Sequence, residues 1–374
     1  MELRVLGRTG LKVSALGMGG IGFIKQFRST REESLQVIQT AIDSGINFIE
    51  TARAYFDSEE IIGEALKAGN RREKCIIATK SYLRSARDME KEVEKSLKAL
   101  QTNHIEIFQI HHIQYSSELA EVTAPQGAYQ ALKSLQKSGV IDFIGVTSHN
   151  PAVLAECAKT GYFDTVQFPL NPAEEEFYAL VSPWLEKLNL GSIVMKPLMG
   201  GRIINVEAAL AFALSFEVST VIPGISSMPE LQTDLKVAGN FSGLTTEERA
   251  ALRTEVKKLP ENFCRRCRYC DGVCPQKIKI SEIFRCEDYL IFNATFARNE
   301  YRRIEPNAAI CEQCGKCEEI CPYKLPICEK LKSAHQRLSG GRLEDSIVNF
   351  TRKIGIYDKA RKLYFDMVKR IPER

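Results

Sequence analysis

Ten of the twelve cysteines lie between Cys264 and Cys328. Eight of them form two runs of one spacing, Cys264-x2-Cys267-x2-Cys270-x3-Cys274-Pro275 and Cys311-x2-Cys314-x2-Cys317-x3-Cys321-Pro322. Three thiolates spaced this way wrap one face of a cubane, and the fourth points away toward a second cluster. The spacing predicts two [4Fe–4S] clusters that exchange their last ligands. Cys264, Cys267, Cys270 and Cys321 hold the first; Cys311, Cys314, Cys317 and Cys274 hold the second. Structural zinc prefers separated cysteine pairs or Cys/His mixtures, and neither run contains a histidine. Disulfides conflict with the reducing compartment expected below. Cys286 and Cys328 fit neither run and read as small buried apolar residues.

A second set of side chains follows the apolar segments of the first 240 residues. Glu50 and Tyr55 follow one such segment, Lys80 the next, and His111-His112 the one after. Thr147-Ser148-His149-Asn150, Gln167, Lys196 and Gly224-Ile225-Ser226-Ser227 follow in turn. Taken singly, each has a structural explanation: a tyrosine packs, a lysine is solvated, a histidine sits in a core. Together they place polar and titratable groups after nearly every segment.

The elements that position them are legible as periodicity. Eight apolar, β-branched segments recur at 13–17, 46–51, 75–80, 105–111, 143–147, 165–168, 192–195 and 220–222. Helical patterns separate them, among them 32–44, 58–68, 88–100, 127–138 and 151–160. Continuous apolar strands alternating with amphipathic helices imply a helix-covered parallel sheet. Eight units in this length match a (β/α)8 TIM barrel, whose chemistry sits at the C-terminal ends of its strands. An open doubly wound sheet is the rival. Gly17-Met18-Gly19-Gly20-Ile21-Gly22 resembles its phosphate fingerprint only loosely, and no acidic residue follows at the required distance. A capped helix at 244–258, ended by Pro260, leads into the cysteine-rich module. The expected domains are 1–258, 259–330 and a tail, 331–374, with an amphipathic helical stripe over 346–371 that packs on the body. The fold class is α/β: a (β/α)8 TIM barrel, a small α+β dicluster ferredoxin-like domain and a helical C-terminal tail.

The formal net charge of +4 is uneven. After Lys330 there are 11 basic and 5 acidic residues, so the barrel region is close to neutral and the tail reads as a solvated helix face. Nothing here suggests a nucleic-acid binder. No apolar run is long enough to span a bilayer, and the first residues lack a signal-peptide layout. The expectation is a cytoplasmic, thiol-reducing setting with no membrane partner.

The segment Gly45-x-Asn47-x-x-Glu50-Thr51-Ala52-x-x-Tyr55-x-x-Ser58-Glu59 resembles a signature of the aldo-keto reductase family, G-x-N-x-x-D-T-A-x-x-Y-x-x-S-E. Ile77-Ala78-Thr79-Lys80 is similar to that family's active-site lysine strand, and Ile107-Phe108-Gln109-Ile110-His111 to the strand ending in its histidine. Ile144-Gly145-Val146-Thr147-Ser148, Val166-Gln167-Phe168-Pro169-Leu170-Asn171 and Val221-Ile222-Pro223-Gly224-Ile225-Ser226-Ser227 resemble its cofactor-binding segments. The resemblance covers about residues 1–255, and the remainder resembles the ferredoxin-type extension of one branch of the family.

The resemblance implies an NADH- or NADPH-dependent oxidoreductase acting on a small carbonyl or alcohol. Tyr55 would be the general acid. A phenol, with a pKa of about 10, is a poor proton donor until a neighbouring ammonium, Lys80, lowers it; Glu50 would hold that lysine. His111 would orient the carbonyl oxygen. Thr147, Ser148 and Gln167 would hold the nicotinamide carboxamide. Gly19, Gly20, Met195, Lys196, Gly224, Ser226, Ser227 and Asp234 would complete the cofactor site. Three departures stand out. Glu50 replaces the family aspartate, Met195 replaces a stacking aromatic, and Gly224 and Glu230 occupy cationic phosphate-binding positions. A ribose 2′-phosphate wants Arg or Lys there, which tilts the expectation toward NADH. The alternative function is an electron-transfer protein, in which the clusters serve a redox partner and the barrel is a docking scaffold. A flavin normally mediates between hydride and single electrons, and no flavin fingerprint is present.

Overall fold

A computed structural model describes residues 1–23, 30–240, 243–257, 264, 269–290, 294–321 and 323–340. The chain divides into two compact units, Met1–Glu261 and Asn262–Arg374.

The first unit opens with a hairpin, β1 (Leu3–Val5) antiparallel to β2 (Lys12–Ser14). Eight parallel strands follow: β3 (Met18–Gly19), β4 (Phe48–Glu50), β5 (Ile76–Ser81), β6 (Ile105–Ile110), β7 (Ile141–Thr147), β8 (Thr165–Pro169), β9 (Gly191–Met195) and β10 (Thr220–Ile222). Each pairs with its sequence neighbour, and β10 closes onto β3. The N–H of Gly17 donates to the Val221 carbonyl at 2.9 Å, and that of Gly19 to the Pro223 carbonyl at 2.8 Å. The sequence pattern ran the first barrel strand over 13–17. The structure instead gives Val13 to the hairpin and starts the barrel strand later, because Leu3–Val5 offers Lys12–Ser14 an antiparallel partner.

Several helices between the strands begin at a capping side chain. Thr30 accepts from the Glu33 N–H at 3.1 Å, Asn150 from Val153 at 3.3 Å and Ser227 from Glu230 at 3.5 Å. Their apolar faces bury against the outside of the strands, forming the main core. A smaller apolar cluster fills the barrel interior. It joins Leu6 and Val13 of the hairpin region to Phe48, Ala78, Ile107, Ile193 and Ile222, so the hairpin floors the N-terminal end.

In the second unit the described regular elements are helices. Tyr269–Val273 and Lys316–Glu319 each carry the third cysteine of a run and pack on one another. Helices Ile280–Tyr289 and Ile327–Ser339 follow the runs. The latter crosses residue 330, where a domain boundary was expected, and buries Leu331, Ala334 and Leu338 in the core of this unit. The tail stripe expected over 346–371 lies outside the described residues. Among the described residues no helix is long and apolar enough to cross a membrane.

Candidate active site and cluster module

The parallel register brings one layer of polar side chains to the barrel's upper end. Lys80 lies opposite Gln109, and Thr147 opposite Gln167. Inside this layer Lys80 Nζ makes a short ion pair with Glu50 Oε1 and donates to the Thr51 carbonyl at 2.9 Å. Both residues are nearly solvent-free, at 1% and 2% exposed. Burial presses the Lys80 ammonium pKa below the usual lysine value, and the Glu50 carboxylate opposes that shift.

Glu50 is held from a second side. Gln167 Nε2 donates to the same Oε1 at 2.6 Å, and Gln109 Nε2 donates to Gln167 Oε1 at 2.7 Å. The extra methylene of Glu50 relative to the family aspartate lets one carboxylate oxygen serve lysine and glutamine together. Gln167, expected to hold a carboxamide, lies in this network and braces Glu50. Gln109 was not anticipated; its signal was a polar residue facing inward within the apolar strand 105–110. Gly145 makes room for it, since a Cβ there would sit 2.8 Å from Gln109 Cγ.

Tyr55 is half-buried above this pair, with Lys80 Nζ 4.6 Å from its ring centroid. Its ring meets that of His111 edge-on at 6.1 Å. His111 is buried and stacks on Tyr82 at 3.9 Å. His112 holds the left-handed backbone region, φ 63°, and its ring lies 5.3 Å from that of His149. Arg84 fixes this strained corner by donating to the carbonyls of His111 and His112, each at 2.9 Å. Neither Tyr82 nor Arg84 carried a sequence signal. Thus Tyr55, Lys80, Glu50 and His111 come together as expected from the resemblance.

The expected cofactor residues divide. Thr147 Oγ1 accepts from the His112 N–H at 2.8 Å, and Ser148 Oγ is tied to Asn150, donating to its carbonyl at 3.1 Å and accepting from its N–H at 2.9 Å. Met195 is half-buried and its sulfur accepts from Gln167 at 3.6 Å. Lys196 sits just beyond it at φ 56°. Gly20 packs over Glu50, where a Cβ would lie 2.7 Å from the Glu50 carbonyl; a Cβ on Gly19 would lie 3.1 Å from that of Pro223. Gly224 is exposed, and a Cβ there would meet only Ile21. Ser226 donates its N–H and hydroxyl to Glu230 Oε2 at 2.7 and 2.8 Å. Asp234, on the same helix as Glu230, is 3% exposed. Burial, and then Glu230, push its carboxyl up to about 7.

In the second unit, one cavity is lined by Cys274 together with Cys311, Cys314 and Cys317. Residues of both runs thus line one space, Cys274 from the first and three cysteines from the second. Among the described residues no three His, Cys, Asp or Glu side chains converge tightly enough for a single metal ion. Cys264, Cys270 and Cys321 pack in the core of the same unit; Cys267 lies outside the described residues. Cys286 is fully buried, and burial raises its thiol to about 12, in keeping with simple packing. Cys75 and Cys157 in the barrel are raised to about 12 for the same reason. Cys328 departs from the expected buried packing, because it is half-buried and lines the same cavity.

Residues 15–205 match the aldo/keto reductase family, and residues 263–326 match a 4Fe-4S dicluster domain. The uncharacterized oxidoreductase YrpG of Bacillus subtilis is 32% identical over 228 residues, which are 54% of this chain and 68% of that protein. A second B. subtilis oxidoreductase, YqkF, is 25% identical over 69% of this chain and 97% of its own length. In fold, the chain resembles the aldo-keto reductase AKR11C1 from Bacillus halodurans, with a TM-score of 0.59 and 24% identity over 68% of this chain and 96% of the other. A closed eight-stranded parallel barrel, a lysine–carboxylate pair beneath a tyrosine and two matching cysteine runs thus converge on one assignment: the chain is an oxidoreductase of the aldo/keto reductase family with a 4Fe-4S dicluster domain toward its C-terminus.

Proposed function

We propose that the barrel reduces a carbonyl compound, or oxidises the corresponding alcohol, with a nicotinamide dinucleotide. The observation that carries this reading is the buried Lys80–Glu50 pair beneath Tyr55 and beside His111. When bound, the nicotinamide supplies a hydride to the carbonyl carbon. Tyr55 gives the phenolic proton to the carbonyl oxygen, completing the alcohol. The Lys80 ammonium under the ring favours the phenolate left behind. Glu50, braced by Gln167, keeps that ammonium in place. His111, fixed by Tyr82 and Arg84, orients the oxygen. Thr147, Ser148, Gln167, Met195 and Lys196 would hold the nicotinamide half; Gly19, Gly20, Gly224, Ser226, Ser227 and Asp234 would hold the rest. Cys264, Cys267, Cys270 and Cys321 would hold one cluster, and Cys311, Cys314, Cys317 and Cys274 the other.

A second reading has the clusters trade electrons with a partner, and the exposure of Cys314 favours it. Anaerobic titration of the holoprotein with NADH, then addition of a panel of aldehydes, ketones and sugars, separates the two. Turnover without cluster bleaching is expected. Bleaching without turnover puts electron transfer first.

The same site gives a cofactor preference. Glu230 already presents a carboxylate to Ser226, so a 2′-phosphate meets like charge. NADH is expected to bind at least as tightly as NADPH, and Glu230→Gln to improve NADPH binding selectively. Paired binding titrations check this; a clear NADPH preference of the unaltered protein would refute it.

A further inference from the structure

The two cysteine runs belong to an internal repeat with a spacing of 47 residues, as from Cys264 to Cys311. The repeat extends beyond the cysteines. Lys277 and Lys324, three residues after each last cysteine, both take the left-handed conformation, at φ 53° and 50°. Each is followed by a helix starting at an isoleucine, Ile280 or Ile327. Each helix start is held by the acidic residue that follows the run's third cysteine. Asp271 accepts from the Ser281 N–H at 3.0 Å, and Glu318 accepts from the Cys328 N–H at 2.7 Å.

The repeat breaks at one side chain that matters chemically. In the first half Ser281 donates its hydroxyl to Asp271 Oδ2 at 2.5 Å. In the second half the equivalent residue is Cys328, and its backbone N–H engages Glu318. Cys328 instead lines the cavity together with Cys274, Cys311, Cys314 and Cys317. Five cysteines thus line a space where a [4Fe–4S] cluster takes four.

We propose that Cys328 is a positioning residue for the second cluster: a fifth, non-ligating thiol that donates to its sulfur shell and raises its reduction potential. The proposal rests on the four-plus-four ligand assignment above. A donor aimed at cluster or ligand sulfur stabilises the more negative, reduced state, and hydrogen bonds to the sulfurs are a main control on cluster potential. Ser281 gives its hydroxyl to Asp271, so the first cluster lacks this contact from the equivalent position. The two clusters are therefore built to be electronically unequal.

The test uses the full chain, reconstituted anaerobically, with Cys328→Ala and Cys328→Ser. Iron is counted and both clusters are titrated by electron paramagnetic resonance. The unaltered chain is expected to hold about eight irons; far fewer defeats the cluster assignment itself. Both variants should keep that iron. Cys328→Ala should lower the midpoint of one cluster and leave the other in place. Cys328→Ser, which retains a donor, should restore the midpoint, an outcome that a purely packing role does not produce. Unchanged midpoints in Cys328→Ala, equal shifts of both clusters, or failure of serine to restore the value would each overturn the proposal. Loss of about half the iron from both variants would overturn it by making Cys328 a ligand.

Discussion

Tyr55→Phe is expected to lower carbonyl reduction by about 10²–10⁴-fold, the usual worth of a general acid, while nicotinamide affinity is retained. The phenylalanine keeps the ring that packs against His111 and over Lys80 and removes only the hydroxyl. Steady-state rates and nicotinamide binding measured on the same preparation check this. Lys80 is a poorer probe. Its removal strands the Glu50 carboxylate in a buried site, which costs about 3–5 kcal/mol in comparable cases and confounds rate with folding. Glu50→Ala acts at one remove, shifting the pH profile, and its effect should be non-additive with Tyr55→Phe because the groups act as one unit. Full activity of Tyr55→Phe on a carbonyl substrate would remove the proposed chemistry from the barrel.

Cys274→Ser is expected to bring iron content from about eight to about four and to eliminate the cluster sited with Cys311, Cys314 and Cys317. The cavity shared by these cysteines is the reason. Combining variants identifies which cluster is lost. Adding Cys314→Ser to Cys274→Ser should remove no further iron, whereas adding Cys264→Ser should remove nearly all. The reverse pattern would mean that Cys274 serves the first cluster.

Much of this was legible in the sequence, because strand periodicity and ligand spacing are local properties. The lysine strand, the histidine strand and the cysteine runs each declare themselves within a few residues. What was not legible depends on contacts across the barrel. Val13 reads as part of a barrel strand until Leu3–Val5 is seen to pair with its segment. That Gln167 also bonds Gln109 and Glu50 shows only once the strands are in register. Arg84 is one arginine among many until the turn at His112 exposes two carbonyls to it. Cys328 is a stray cysteine until a left-handed turn and a helix start swing it into a cavity made by residues up to 54 positions away, at Cys274.

The floor of the barrel bears on proton resupply. Beside Lys80 and Glu50 lie the two primary amides of Gln109 and Gln167, which donate and accept hydrogen bonds but do not relay protons at neutral pH. Below them the apolar layer of Leu6, Val13, Phe48, Ile107, Ile193 and Ile222 offers no route for water. On the proposed mechanism, a phenolate formed at Tyr55 would therefore recover its proton from the end of the barrel that substrate and nicotinamide would use. Recharging of the acid and departure of product are thereby coupled, so the solvent isotope effect on turnover should report on release as well as on chemistry.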